Sequence, residues 1–205
     1  SATRTTLLVP EIGATGFTRL AVQQHPDIRL YACRGDGTWA VMVRDEAEDV
    51  TCWVDMETDG FVEDVVVLPG EEEDRVFIRV RRTIEGVDAW YIERAAPESE
   101  CSGGTISKLA DPSVTGTGAV TGLDHLEGET VVVWADGADA GSFTVSGGAV
   151  TVTPTPTSWT AGLPYSAQFK SAKLAVQTQL GFTLGQSSRI NKISTILADT
   201  HARGL

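Results

Sequence analysis

Arg75-Val76-Phe77-Ile78-Arg79-Val80-Arg81-Arg82-Thr83-Ile84-Glu85-Gly86, continuing through Ala89-Trp90-Tyr91-Ile92-Glu93-Arg94, is the stretch on which the fold turns. Val76, Ile78 and Val80 alternate with Phe77, Arg79 and Arg81, a period of two that predicts a half-buried strand. Glu85-Gly86 is turn chemistry, and the apolar run after it predicts the returning strand of a hairpin. The same grammar holds upstream. Trp39, Val41 and Val43 alternate with Ala40, Met42 and Arg44, and turn residues stand at Gly35-Asp36-Gly37, Asp59-Gly60 and Pro69-Gly70. The first half of the chain therefore reads as hairpins in series.

Two of these stretches resemble each other. Ala21-Val22 leads through the His25-Pro26-Asp27 turn to Arg29-Leu30-Tyr31 and, after a glycine turn, to Trp39. Val66-Val67 leads through Pro69-Gly70 and an acidic loop to Arg75-Val76-Phe77 and, after a glycine turn, to Trp90. The arginines are 46 positions apart and the tryptophans 51, close to the roughly 40–50-residue period of four-stranded propeller blades. Two units do not close a propeller, for which about four blades are the minimum. Other blades then lie outside this chain, or the hairpins pack in another way.

At Pro97-Glu98-Ser99-Glu100-Cys101-Ser102-Gly103-Gly104 the composition turns small and polar, as a connector does. Beyond it, Thr130 to Trp134, Gly141 to Val145 and Ala149 to Thr153 read as short strands separated by Ala135-Asp136-Gly137 and Ser146-Gly147-Gly148. Pro154 and Pro156 end that run before a stretch from Trp159 to Phe169, and Ile190, Ile193, Ile196 and Leu197 fit a further strand. The expected fold class is all-β: propeller-type blade hairpins over residues 1–98, a small β-barrel or sandwich over 99–170, and a returning, truncated or complete, strand region over 171–205.

Composition narrows the function classes. The 205 residues carry 28 acidic and 16 basic side chains, a formal charge of −12, which argues against a sequence-independent grip on nucleic-acid phosphates. The apolar runs at Val65-Val66-Val67-Leu68 and from Val131 to Ala135 are far shorter than the ~20 residues of a membrane helix, so no membrane insertion by this chain is expected. Cys33, Cys52 and Cys101 form no C-x-x-C pair; reduced, buried thiols are the expectation.

Several longer literal matches carry a resemblance. Val80-Arg81-Arg82-Thr83-Ile84-Glu85-Gly86, followed by Trp90-Tyr91-Ile92-Glu93-Arg94, is similar to the V-R-R-T-I-x-G…Y-I-E-R signature of phage tail nozzle proteins, the tail tubular or packaged-DNA stabilisation proteins of short-tailed phages. Gly122-Leu123-Asp124-His125-Leu126-Glu127-Gly128-Glu129-Thr130-Val131, then Ala135-Asp136-Gly137 and Val145-Ser146-Gly147-Gly148, resembles that family's G-L-D-H-L-E-G-E-T-V…A-D-G…V-S-G-G stretch, and Gly162-Leu163-Pro164-Tyr165 its G-L-P-Y. The motifs stand in the family's order. Members are usually several times longer, so the chain reads as a C-terminal portion or a minimal version.

The resemblance implies a virion component of the tail: a homo-oligomer, commonly a six-fold ring, that docks on a tail adaptor or other tail proteins and retains, then conducts, the genome. DNA would pass transiently without specific binding, and the host envelope would be met at ejection. An acidic wall suits that role because it repels phosphates.

The remaining chemistry is weighed residue by residue. Asp124-His125 with Glu127 and Glu129 is the one place where a histidine adjoins carboxylates. Catalysis or metal binding there needs further groups converging in space, and the plainer reading is a turn framed by Gly122 and Gly128, with Asp124 and His125 bonded to backbone. Arg34-Gly35-Asp36 spells an integrin-recognised tripeptide but is also what a tight hairpin requires. Glu71-Glu72-Glu73-Asp74 reads as a solvated acidic turn rather than a cation loop. For Arg79, Arg81 and Arg82, with Arg94 on the partner strand, two readings stay open: they meet the acidic loop of a neighbouring subunit, or they pair across strands with Glu93 and Glu85. The five tryptophans, Trp39, Trp53, Trp90, Trp134 and Trp159, are expected as core anchors; an exposed pair would favour a receptor- or carbohydrate-binding module instead. No nucleotide, hydrolase or zinc-protease signature occurs, so the chain is not expected to be an enzyme or to hold a cofactor or metal.

Overall fold

A computed structural model describes residues 9–45, 50–97 and 110–168, with positions 6, 47 and 194 and the pairs 177–178 and 181–182. The first half forms β1 (Phe17–Gln23), β2 (Ile28–Arg34), β3 (Trp39–Asp45), β4 (Val50–Met56), β5 (Phe61–Leu68), β6 (Arg75–Ile84) and β7 (Val87–Arg94). β1 to β4 make one antiparallel sheet in sequential order, and β5 to β7 a second. The hairpin expected at Glu85-Gly86 is there: Ile84 pairs with Val87, and φ is +50° at Glu85 and +77° at Gly86, the double positive φ that matches a two-residue turn to strand twist.

The two sheets pack on one another. Tyr31, Cys33, Trp39 and Val41 of the first close a buried cluster with Val62, Val65, Val76, Ile78 and Val80 of the second. The alternation read from the sequence thus places Val76, Ile78 and Val80 inward. Backbone contacts fix the approach, with Val62 N–H donating to Gly37 O.

The second half contains β8 (Val114–Thr117), β9 (Val120–Thr121), β10 (Thr130–Ala135), β11 (Ala138–Thr144), β12 (Ala149–Val150), β13 (Ser158–Gly162), β14 (Gln177–Thr178) and β15 (Gly181–Phe182). One four-stranded sheet runs β11-β10-β13-β8, and β9-β12 and β14-β15 are two-stranded. Asp136 and Gly137 turn β10 into β11 with φ of +48° and +81°, the same solution as at Glu85-Gly86. Val120, Leu123, Leu126, Val131, Val133, Val145, Trp159 and Ala161 form the second core. Among the described residues the chain is all-β, built of antiparallel sheets, none closed into a barrel.

Some expectations change. The strand expected over Ala149 to Thr153 covers Ala149–Val150 alone, that expected over Trp159 to Phe169 covers Ser158–Gly162, and β8 and β9 were not foreseen. Ile190 to Leu197 lie almost wholly outside the described residues. Not every tryptophan is a core anchor: Trp39 and Trp159 are buried, Trp53 and Trp134 half-buried, but Trp90 is 54% exposed. The thiols also differ. Cys33 is fully buried, Cys52 is exposed, and Cys101 lies outside the described residues. Burial, reinforced by Asp64, pushes the Cys33 thiol up to about 11, so it holds its proton at neutral pH and reacts slowly. Iodoacetamide at pH 8 is therefore expected to modify Cys52 in the folded protein and Cys33 only after unfolding, as read by peptide mass mapping.

Candidate functional site

Some of the residues singled out in the sequence, Arg82, Tyr91, Glu93, His125 and Leu163 among them, meet at a joint between the second sheet and the following unit. Arg82 shares the inward phase of Val76, Ile78 and Val80, and its side chain is 1% exposed. Its guanidinium donates Nε to Glu93 Oε1 and Nη2 to Glu93 Oε2, each at 2.8 Å. Nη2 also donates to Thr58 Oγ1 at 2.8 Å, and Nη1 donates to Asp59 O. Thr58 Oγ1 in turn donates to the Asp111 carboxylate. Burial alone would lower the guanidinium pKa; the bond and charge of Glu93, with Asp111 and Asp59, outweigh it and raise the pKa. Arg82 is therefore not available to a neighbouring subunit: the cross-strand reading holds for it, with Glu93.

The other motif stretches close on the same place. Asp111 N–H donates to Leu163 O at 2.7 Å, and Ala110 bridges to Pro164, which anchors Gly162-Leu163-Pro164-Tyr165 beside the Arg82 network. Tyr91, next to Glu93 on the inward face of β7, meets the edge of the His125 ring at 6.4 Å. Leu123 and Leu126 are fully buried on either side of Asp124-His125. Gly122 and Gly128 take positive φ, +82° and +76°, and frame the turn as expected. The backbone bonding falls to a different residue than expected: Glu127, not Asp124 or His125, accepts from Gly147 N–H at 2.8 Å and Gly148 N–H at 2.7 Å. Those two donors hold its carboxyl below the usual range.

Burial pushes the His125 pKa down, and the Arg82 charge adds to this against Glu93 and Asp124. Since the folded-state value lies below the unfolded ~6.5, the unfolded chain takes up the proton first. The stability from neutral His125 is complete above that value and is lost as pH falls below it. A thermal-unfolding series from pH 7.5 to 5 should show the midpoint falling in wild type and a flatter profile in His125→Gln.

Outside the joint the candidates separate. Asp74 does not belong to a solvated acidic turn. Its carboxylate accepts from Gln24 N–H at 2.8 Å, His25 N–H at 3.1 Å and Gly70 N–H at 3.4 Å, tying the β5–β6 loop to the β1–β2 turn, and these bonds lower its pKa. Glu71 and Glu72 are exposed and Glu73 half-buried. Arg34-Gly35-Asp36 is a turn locked within the chain: Arg34 pairs with Asp55 at 2.7 Å and Asp36 at 3.4 Å, while Asp36 accepts from Thr38 N–H and Oγ1.

Arg79 and Arg81 point to the opposite side from Arg82. Arg79 lies 3.4 Å from Glu63, and Arg81 bonds Asp88 at 2.8 Å, lies 3.5 Å from Glu63 and covers the Phe61 ring. Thr83 Oγ1 donates to the same Asp88 at 2.6 Å. Register places Arg94 on this outer side opposite Phe77. Around these charges Val66, Leu68, Trp90 and Ile92 are exposed.

Among the described residues no three His, Cys, Asp or Glu side chains gather as metal ligands would. An open depression between Ala135, Phe143, Val152 and Pro154 holds one carboxylate, Asp136, whose oxygens accept from Thr157 and Ser158 N–H. Sequence reasoning missed Thr58, Asp59 and Asp111 as members of the joint; Asp111 before Pro112 is a turn signal, but nothing in its neighbourhood points to Arg82. Compared with models of protein families and with curated proteins, the chain matches none.

Proposed function

We propose that this chain is a structural component of a phage tail, a nozzle or tail-tube protein that oligomerises and is traversed by the genome during ejection. One observation carries the reading. Four of the six motif stretches that resemble the nozzle family, with Arg82 and Leu163 81 positions apart in sequence, converge on one joint through Arg82–Glu93, Tyr91–His125 and Asp111–Leu163. Residues that act as one structural signature support the resemblance better than the same strings scattered over a surface. The joint ties the β5–β7 sheet to the following unit through side-chain and backbone bonds, which suits a scaffold. In this reading the first two sheets are propeller-type blades, the following unit is a sandwich-like module, and the acidic balance of the chain, −12 overall, keeps passing DNA from sticking.

The alternative, a receptor- or carbohydrate-binding module, draws on the exposed Trp90. It wants a pair of exposed aromatic platforms, and the other described tryptophans are buried or half-buried, so assembly is the better-supported reading. Electron microscopy of intact particles with this chain tagged decides between them. Density for the tag at the distal tail in a ring of copies is expected; a chain missing from purified particles, monomeric with and without a tail adaptor, and retained on a glycan array would overturn the assignment.

A further inference from the structure

The Arg82 network has two ends, and they differ in what releasing them would leave behind. At the inner end Glu93, its side chain 15% exposed, takes the Nε/Nη2 edge of the guanidinium; separating that pair would leave a buried charge without its partner. At the outer end Asp111, 37% exposed, accepts from Thr58 Oγ1 and stands 4.0 Å from Arg82 Nη2. Water already reaches it. With Asp111 withdrawn, its carboxylate would be hydrated, while Arg82 would keep Glu93, Asp59 O and Thr58 Oγ1. The inner end is a fixture, and the outer end is a contact that the fold can let go.

The outer end is also where the contact passes from one unit to the other. Thr58 leads into β5 and Arg82 lies on β6, whereas Asp111 belongs to the following unit, which clamps its backbone. Asp111 N–H donates to Leu163 O at 2.7 Å, Ala110 bridges to Pro164, and Gly162 admits Pro112 O so closely that a Cβ there would overlap it. Asp111 is therefore a short arm on a firm base, with its carboxylate reaching across to the sheet. Beside it, Ile84 at the tip of the β6–β7 hairpin packs against the second core, the Glu85 side chain lies along Gly128, and Tyr91 meets the edge of the His125 ring. Those are packing contacts gathered at one end of one hairpin. A charge-assisted bond adds direction to them.

We propose that Asp111 is a releasable latch: engaged on Thr58 and Arg82 it fixes the orientation of the following unit against the β5–β7 sheet, and released it lets that unit rock about the Ile84 hairpin tip with both cores folded. The device is internal to the chain and stands or falls apart from the tail reading. It gives Gly162-Leu163-Pro164 a definite role, that of holding Asp111 at the boundary. It also separates the two acidic partners of Arg82, one belonging to the fold of the sheet and the other to the angle between the units.

Spin labels on Cys52, exposed on β4, and on an introduced Ser142→Cys, exposed on β11, report the separation of the units in the whole chain. Cys101→Ser removes another thiol, and buried Cys33 stays unlabelled in the folded protein. With Thr58 and Asp111 in place the distance distribution should be narrow. Asp111→Asn keeps the arm and removes its charge; Thr58→Val removes the donor and leaves the clamp on Asp111 untouched. Each should add a second distance population, raising the released fraction about tenfold or more, which is the worth of a hydrogen bond to a charged group, while the near-ultraviolet circular dichroism of the two cores stays as it was. A single narrow distance in both variants would overturn the latch, as would a broad distribution already present with Thr58 and Asp111 intact. Broadening in Asp111→Asn that comes with loss of the near-ultraviolet signal, with Thr58→Val unchanged, would overturn it too, because part of the fold would then be lost and not an orientation.

Discussion

Arg82→Ala is expected to cost the folded state about 3–5 kcal/mol, because it strands the Glu93 carboxylate, only 15% exposed, without its cation and removes the bonds to Asp59 O and Thr58 Oγ1. The side chain is 1% exposed and spends its Nε/Nη2 edge on Glu93 and Nη1 on Asp59 O. Lysine should not rescue it, since a single ammonium cannot satisfy a bidentate carboxylate and a carbonyl together. The sharper test is the pair: Arg82→Met with Glu93→Leu removes both charges and should be markedly less destabilised than Arg82→Ala, as replacing a buried ion pair by apolar residues is often near neutral. Urea unfolding of the three variants measures this. An Arg82→Glu chain is expected to lose its fold before it reports on assembly, with Glu93 and Asp111 facing a new carboxylate. Were Arg82→Ala to leave the unfolding midpoint unchanged, the joint would not be the keystone described.

The phase of β6 made part of this legible in advance. Val76, Ile78 and Val80 mark the even positions as inward, and Arg82 continues that phase, while Arg79 and Arg81 fall on the other. Two adjacent arginines therefore had opposite fates written in their parity, and Tyr91 and Glu93 on β7 repeat the point. The turns at Glu85-Gly86 and Asp136-Gly137 were legible because a glycine beside an acidic residue is what a two-residue hairpin needs. What parity does not supply is the identity of the covering layer. Phe77, Trp90 and Ile92 are as apolar as Val76 and Val80, so the pattern shows a sheet with two sticky faces and leaves open which one the chain itself covers. That ambiguity is why Trp90 read as core. Thr58, Asp59 and Asp111 were illegible for another reason: they reach Arg82 across 24, 23 and 29 sequence positions from irregular segments, where no period marks direction. β8 escaped notice because Val114-Thr115-Gly116-Thr117 is too short and too glycine-bearing to show alternation.

That glycine leads to the second large effect. Gly116 pairs directly across the sheet with Trp159, and a Cβ at Gly116 would overlap the indole; the strand omits a side chain so that the ring can lie flat over the backbone and fill the second core. Trp159→Ala is accordingly expected to cost about 3–5 kcal/mol through the cavity it opens beneath Val131, Val133 and Ala161. Gly116→Ala should cost about 1–3 kcal/mol by pushing the ring off its site. The two are not independent. Phenylalanine at 159 surrenders part of the ring and, with it, an Nε1–H that is buried without a hydrogen-bond partner among the described residues, so Trp159→Phe loses volume but sheds an orphaned donor. The space it frees is the space a methyl at 116 requires. Gly116→Ala combined with Trp159→Phe should therefore be more stable than the sum of the two single changes by about 0.5 kcal/mol or more, a coupling that a double-mutant cycle in urea reads directly. Strict additivity would show that the overlap is relieved elsewhere, by movement of β8.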